Sequence, residues 1–281
     1  MKNTLLVTAF LLCLCHVMAQ SGSPSLEVDG LPLFQQAVNA QHARYLYAVN
    51  QGARFVLTPD KKSFLIIWYP PGRKAPDMPP VIFTLHGHGS YALDEFYLWH
   101  AAAAKRGYGI IALQWWLGKG ETAQDYYLPN EIYRTFDQIS RIERLLPSRN
   151  LLHGFSRGSA NCYGVTAFDR HTRKNLFLLT IANAGKAGSD FPVNIEISKG
   201  RFGKKPFENS HWVMYAGGKD PHPERDGILG MREAERWVTS LGGTVDAFIG
   251  DSDGDHGGFH RNPENMEAAL DVFQRLLGSR K

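Results

Sequence analysis

Cysteine is scarce in this chain, with three in 281 residues, at positions 13, 15 and 162. Cys13 and Cys15 fall inside an N-terminal apolar run, so a folded body without that run keeps only Cys162 and cannot close an internal disulfide. Long apolar runs are also few. The run from Leu5 to Val17 is too short to span a bilayer comfortably, and a composition 43% hydrophobic and 21% charged excludes multi-span, collagen-like and disordered chains. Nor does charge of one sign dominate. The 31 Lys and Arg against 27 Asp and Glu leave +4, scattered without a basic stripe, and no zinc-finger or helix-turn-helix spacing appears; nucleic acid is excluded as an expected partner. Metal patterns are incomplete. Asp251, Asp253 and Asp255 share a turn that lacks the glutamate closing a calcium loop, and His86, His88 and His153 lack zinc-ligand spacing, so we expect neither metal nor other cofactor.

The first nineteen residues do carry a pattern. Lys2, the apolar run and Val17-Met18-Ala19 ahead of Gln20 have the layout of a secretory signal peptide over residues 1–19. The reading is a cleaved signal, a secreted or periplasmic product and no stable membrane insertion afterwards. Residues 20–30, rich in Ser, Pro and Gly, read as a linker, and 31–281 as one domain. Apolar runs bounded by turn residues recur at 54–57, 63–69, 81–85, 108–114, 150–153, 176–182, 212–215 and 244–249. From Val81 onward they are continuously apolar, as strands covered on both faces are. Helical spacing fills 94–105, 131–146, 159–168, 229–241 and 263–277, the last opening on Asn262, Pro263 and Glu264 as cap and first turn. The alternation predicts an α/β fold, a mostly parallel sheet with helices on both faces and antiparallel strands at one edge. The interval 185–210 lacks periodicity and is expected as a long loop beside the site. Cys162 reads as a small buried apolar side chain on the helix after residue 156.

Catalytic groups of such a sheet belong just after the strands. Gly154-Phe155-Ser156-Arg157-Gly158 follows the 150–153 strand, and this pentapeptide suits a serine held on a tight strand-to-helix turn. A serine hydroxyl is a poor nucleophile until a histidine takes its proton, and the histidine needs a carboxylate to fix its tautomer. His256 follows the 244–249 strand and Asp220 follows the 212–215 strand, so Ser156, Asp220 and His256 are the catalytic candidates. His260 competes with His256 for the base, and Asp226 with Asp220 for the acid. The amides of Arg157, at a helix start, and of His88, in His86-Gly87-His88-Gly89 after the 81–85 strand, are the candidate oxyanion donors. Trp115 and Trp116, followed by Tyr126 and Tyr127, offer flat faces for a sugar or phenolic ring or are ordinary packing.

These motifs, from about Val81 to the C-terminus, resemble the α/β-hydrolase superfamily, and more loosely its exported carbohydrate-esterase, feruloyl-esterase and polyester-depolymerase branch. The resemblance implies the α/β-hydrolase fold and a Ser-His-Asp triad at Ser156, His256 and Asp220. The function expected is an exported serine esterase acting on small-molecule or polysaccharide-linked carboxylic esters. A serine peptidase or acyltransferase of the same fold, and a catalytically silent binding module, are the alternatives.

Overall fold

The computed structural model describes residues 26–72, 78–188 and 191–279. The expected signal peptide, with Cys13 and Cys15, lies outside them. Three helices open the described chain, α1 (Leu26–Asp29), α2 (Pro32–Ala40) and α3 (His42–Asn50), and lead into β1 (Arg54–Leu57), β2 (Phe64–Trp68) and β3 (Val81–Leu85). Alternation follows: α4 (Ala92–Arg106), β4 (Gly109–Leu113), α5 (Pro129–Ile142), β5 (Asn150–Phe155), α6 (Arg157–His171) and β6 (Phe177–Asn183). The described residues end with α7 (Pro192–Ser198), β7 (His211–Gly217), α8 (Ile228–Ser240), β8 (Thr244–Asp251), α9 (Gly258–Arg261) and α10 (Pro263–Gly278). Local signals set several ends. Asn262 accepts a hydrogen bond from the Glu264 amide at 3.1 Å ahead of Pro263, and α4 stops at Gly107, whose φ of 71° is the left-handed conformation a glycine adopts without strain.

All eight strands join one sheet in the order β1-β2-β4-β3-β5-β6-β7-β8. The β1–β2 and β2–β4 pairs are antiparallel, and the remaining pairs are parallel. Winding runs outward from β3 to β4, then crosses back through α5 so that β5 pairs with the other edge of β3. Beyond the carboxyl ends of β3 and β5 lies the crevice that such a reversal opens. Alternate residues of each strand then feed opposite faces. Ile82, Leu151, Ile110 and Val213 pack with Phe96, Trp99 and Phe273, whereas Val81, Phe83, Leu152 and Ile111 pack with Phe136 and Val165. A third cluster places Trp212 and Met214 against Tyr163 and Val238. Among the described residues no helix is long and apolar enough to cross a membrane.

Two expectations about segments need correction. The reading of 20–30 as a linker fails at its C-terminal end, because Leu26–Asp29 is helical and Val28 is fully buried in the cluster with Phe34 and Phe55. Burial of that one apolar side chain outweighs the Ser, Pro and Gly around it. The interval 185–210 does lie beside the site, but it contains α7, which starts at Pro192 and buries Val193 and Ile197. If α1 is an integral part of the core, Val28→Asp should lower unfolding free energy by about 2–4 kcal/mol in urea titration, by burying an unpaired charge. A midpoint equal to that of the unsubstituted protein would return residues 26–30 to the status of a tether.

Candidate active site

Ser156 sits between the last residue of β5 and the first of α6 with φ 54° and ψ −118°, a conformation costly for a residue with a side chain, about 1–3 kcal/mol. Its surroundings hold it there. The Ser156 amide donates to Asn183 O of β6 at 2.8 Å, while its carbonyl accepts the first α6 bond from Ala160 N at 3.1 Å. The first turn of α6 lies directly on the end of β3. A Cβ at Gly158 would stand 2.5 Å from Leu85 O and 2.6 Å from His86 O, so only glycine permits that approach. Cys162 is fully buried one turn later, and burial holds its thiol well above the usual range.

The structure brings Ser156, His256 and Asp220 into one chain of hydrogen bonds. His256 Nε2 lies 2.9 Å from Ser156 Oγ, and His256 Nδ1 lies 2.7 Å from Asp220 Oδ2. The Asp220 carboxylate is buried, and its other oxygen accepts from the His222 amide at 2.8 Å. His256 is carried by the acidic turn, which is internally bonded. Asp251 accepts from Gly254 N at 2.8 Å and from Asn265 Nδ2 at 2.7 Å, tying the turn to α10 and holding its carboxyl below the ordinary range. Asp253 pairs with Lys219 at 2.8 Å, and Asp255 pairs with Arg261. The competing residues stand elsewhere. His260 is buried with Glu95, His153 and Trp99, and neither ring nitrogen has a hydrogen-bond partner. Asp226 is buried near Asp220 and His256, but its Oδ2 takes Arg225 Nε at 2.7 Å, and the His256 Nδ1 bond goes to Asp220.

Across from this chain runs the His86–Gly89 loop. A Cβ on Gly87 would lie 3.5 Å from Ser156 Cβ, so the backbone next to His88 flanks the serine side chain. The Arg157 amide, in the first turn of α6, is among the donors that have no partner within the helix. The loop is braced from behind, since Trp115 Nε1 donates to His86 O at 2.9 Å and its ring stacks on His86 at 5.3 Å. Trp115 is therefore a buried residue, and it also lines an apolar cavity of about 230 Å³ with Tyr126, Tyr127, Phe191 and Val193. Trp116 lies off the described cavities; its Nε1 donates to Gly120 O at 3.1 Å and its ring packs on Tyr91. Ser156 itself opens into a cavity of about 410 Å³ shared with His88, Arg157, Lys186, Phe191, Arg225 and Asp226. Lys186, Phe191 and Arg225 were not legible as site residues, because they come from aperiodic segments brought over Ser156 by the fold.

Behind the serine, facing α4, lies a buried polar network. Trp99 Nε1 donates to His153 Nδ1 at 3.2 Å, and the Thr84 hydroxyl stands 2.8 Å from that nitrogen and 2.7 Å from Glu95 Oε2. Glu95, His153 and His260 form one of two groups, among the described residues, whose donor atoms lie close enough to share a metal ion; Asp220, Asp226 and His256 form the other. Nitrogen Nδ1 of His153 already faces the Trp99 donor, and both His256 nitrogens are engaged with Ser156 and Asp220. The Asp220, Asp226 and His256 set is hydrogen-bonded throughout, whereas in the other set both ring nitrogens of His260 are without a hydrogen-bond partner.

No protein-family model matches the sequence, and no curated protein matches it either. Solved structures do. The chain is similar to a hyperthermophilic esterase from the archaeon Pyrobaculum calidifontis, with TM-score 0.61 and 12% identity over 88% of this chain and 92% of that one. It is similar to fungal esterases from Rhizomucor miehei, with TM-score 0.60 and 14% identity over 87% and 90%. Esterase 2 of Thermogutta terrifontis, phosphoramylated by tabun, gives TM-score 0.60 and 14% identity over 81% and 94%. At such identity the likeness speaks for the fold, and the chain has the α/β-hydrolase fold.

Burial pushes His86 down to about 4, and His153 and His260 down to about 3, from the ordinary histidine value of 6.5. Each of these rings takes up a proton in the unfolded chain before it does so in the fold, so stability falls as pH drops below about 6.5 and the loss continues toward 4. Glu95 opposes them, because burial raises its carboxyl and the fold then binds a proton more readily than the unfolded chain. His100, also lowered by burial, acts with the three imidazoles and Asp169, raised to about 6, acts with Glu95, so urea midpoints should fall from pH 7 to pH 5 with a net uptake of protons on unfolding. His260→Phe, among Trp99 and Phe259, should flatten that slope by about one proton. A midpoint that rises on acidification over this interval would contradict the assignment.

Proposed function

We propose that the protein is an exported serine esterase that hydrolyses carboxylic esters through an acyl-enzyme. One observation carries the reading: a single imidazole spans 2.9 Å to Ser156 Oγ and 2.7 Å to the buried Asp220 carboxylate. In this reaction Ser156 Oγ attacks the ester carbonyl and gives its proton to His256 Nε2, while Asp220 stabilises the imidazolium. The oxyanion forms beside the amides of Arg157 and His88, at the positive end of α6. Collapse of the tetrahedral species breaks the bond to the alcohol oxygen, which leaves with the proton from His256. Water then gives a proton to His256 and attacks the acyl-Ser156 ester; collapse breaks the acyl–Oγ bond, His256 returns the proton to Ser156 Oγ, and the acid is released.

Preference for esters over peptide amides is supported by the likeness to structures of esterases. The apolar cavity with Trp115, Tyr126 and Tyr127 beside Ser156 suits an aryl or alkyl group such as the acid of a feruloylated carbohydrate or a polyester-like chain. Export rests on the signal-peptide pattern of residues 1–19.

Ser156→Ala should abolish hydrolysis of p-nitrophenyl acetate while circular dichroism stays that of the unsubstituted protein. Retained turnover in that variant contradicts the proposal. Asp220→Asn should lower kcat by about 10³–10⁴-fold, because the imidazole loses its tautomer control, and Asp226→Asn by less than about tenfold. The reverse ranking would move the acid's role to Asp226.

A further inference from the structure

The catalytic cavity contains several cations, and all but one are neutralised by a neighbouring carboxylate. Lys186 Nζ lies 2.8 Å from Glu233 Oε2, and Arg225 pairs with Asp226 at 2.7 Å. Arg157 makes no ion pair with a carboxylate among the described residues. Its guanidinium is nonetheless held in place. It lies 4.3 Å over the Tyr126 ring, and Nη1 donates to His88 Nδ1 at 3.0 Å. Glu121 secures both partners without reaching the guanidinium, accepting from His88 Nε2 at 2.8 Å and from the Tyr126 hydroxyl at 2.6 Å. That leaves His88 Nδ1 as the acceptor Arg157 needs, with the Tyr126 hydroxyl as a second hydrogen-bond partner, and no carboxylate among the described residues takes the remaining guanidinium N–H donors.

Position turns this spare charge into a recognition element. Arg157 follows Ser156 directly and borders both the 410 Å³ catalytic cavity and the 230 Å³ apolar cavity. We infer that Arg157 is a specificity residue whose side chain binds a carboxylate carried by the ester substrate, a few bonds from the scissile carbonyl. The ester is thus an acidic one, a half-ester of a dicarboxylic acid or an ester of an acidic alcohol or phenol, with its apolar part in the cavity beyond Tyr126. A planar fork already oriented by His88 and Tyr126 donates two parallel hydrogen bonds to a carboxylate with little further ordering. The inference rests on Ser156 being the nucleophile, because only then does Arg157 stand next to the reacting carbonyl.

Two pairs of esters test it, each differing only in a free carboxylate. The acyl-side pair is the p-nitrophenyl ester of adipic acid and the same ester with the second carboxyl methylated. The alcohol-side pair is 4-carboxyphenyl acetate and its methyl ester. At low salt at least one pair should favour the charged member by about tenfold in kcat/KM, expressed mainly in KM, and the favoured pair shows which half carries the charge. Arg157→Gln should bring that ratio to within about twofold of unity, and Arg157→Lys, a point charge without the fork, should retain an intermediate ratio. Should the variants not fold, the unsubstituted enzyme still answers, because 0.5 M NaCl should raise KM for the charged ester several-fold more than for the neutral one. Equal turnover of both members of both pairs, or a preference unchanged in Arg157→Gln, overturns the inference and leaves the esterase reading intact. Absence of turnover with all four esters removes both together.

Discussion

The backbone at Ser156 is held in a conformation that an isolated residue would avoid, and the site depends on that constraint. The Asn183 carbonyl on one side and the start of α6 on the other fix the turn, and α6 reaches its place only because Gly158 lies against the carbonyls of Leu85 and His86. Three neighbouring parallel strands, β3, β5 and β6, therefore share in positioning one hydroxyl. The strain is local and the restraint is spread through the sheet, the arrangement by which a folded core holds an outlier in place.

The two loops that meet Ser156 are supported in different ways. His256 is carried on a turn whose carboxylates are used as struts: Asp251 ties it to Asn265, Asp253 to Lys219 and Asp255 to Arg261. The His86–Gly89 loop rests on Trp115, whose indole N–H meets the His86 carbonyl. One loop is thus anchored by charge and hydrogen bonds at the surface, the other by a buried aromatic ring. In the proposed mechanism the first must present an imidazole that changes charge, and the second must present an amide that does not move.

Much of this was legible in the sequence, and the parts that were not share a cause. Strands β3 to β7 announce themselves as continuous apolar runs, and α10 carries its start signal at Asn262. The order and placement of Ser156, Asp220 and His256 just beyond strands could be read from spacing alone. Helix α1 could not, since its assignment depends on where Val28 packs, and α7 is too short to show a period. Contacts between distant segments were likewise hidden. Nothing in the order of residues reveals that Arg157 meets His88, 69 positions away, or that Trp115 faces inward to hold the His86 carbonyl while Trp116 turns to Tyr91.

Activation of the Ser156 hydroxyl by His256 can be read by intact-mass analysis after treatment with a fluorophosphonate. One adduct per chain is expected, mapped to the peptide containing Ser156, absent in Ser156→Ala and formed about a hundredfold more slowly in His256→Ala. A chain that stays unlabelled, or an adduct on any other residue, would contradict it.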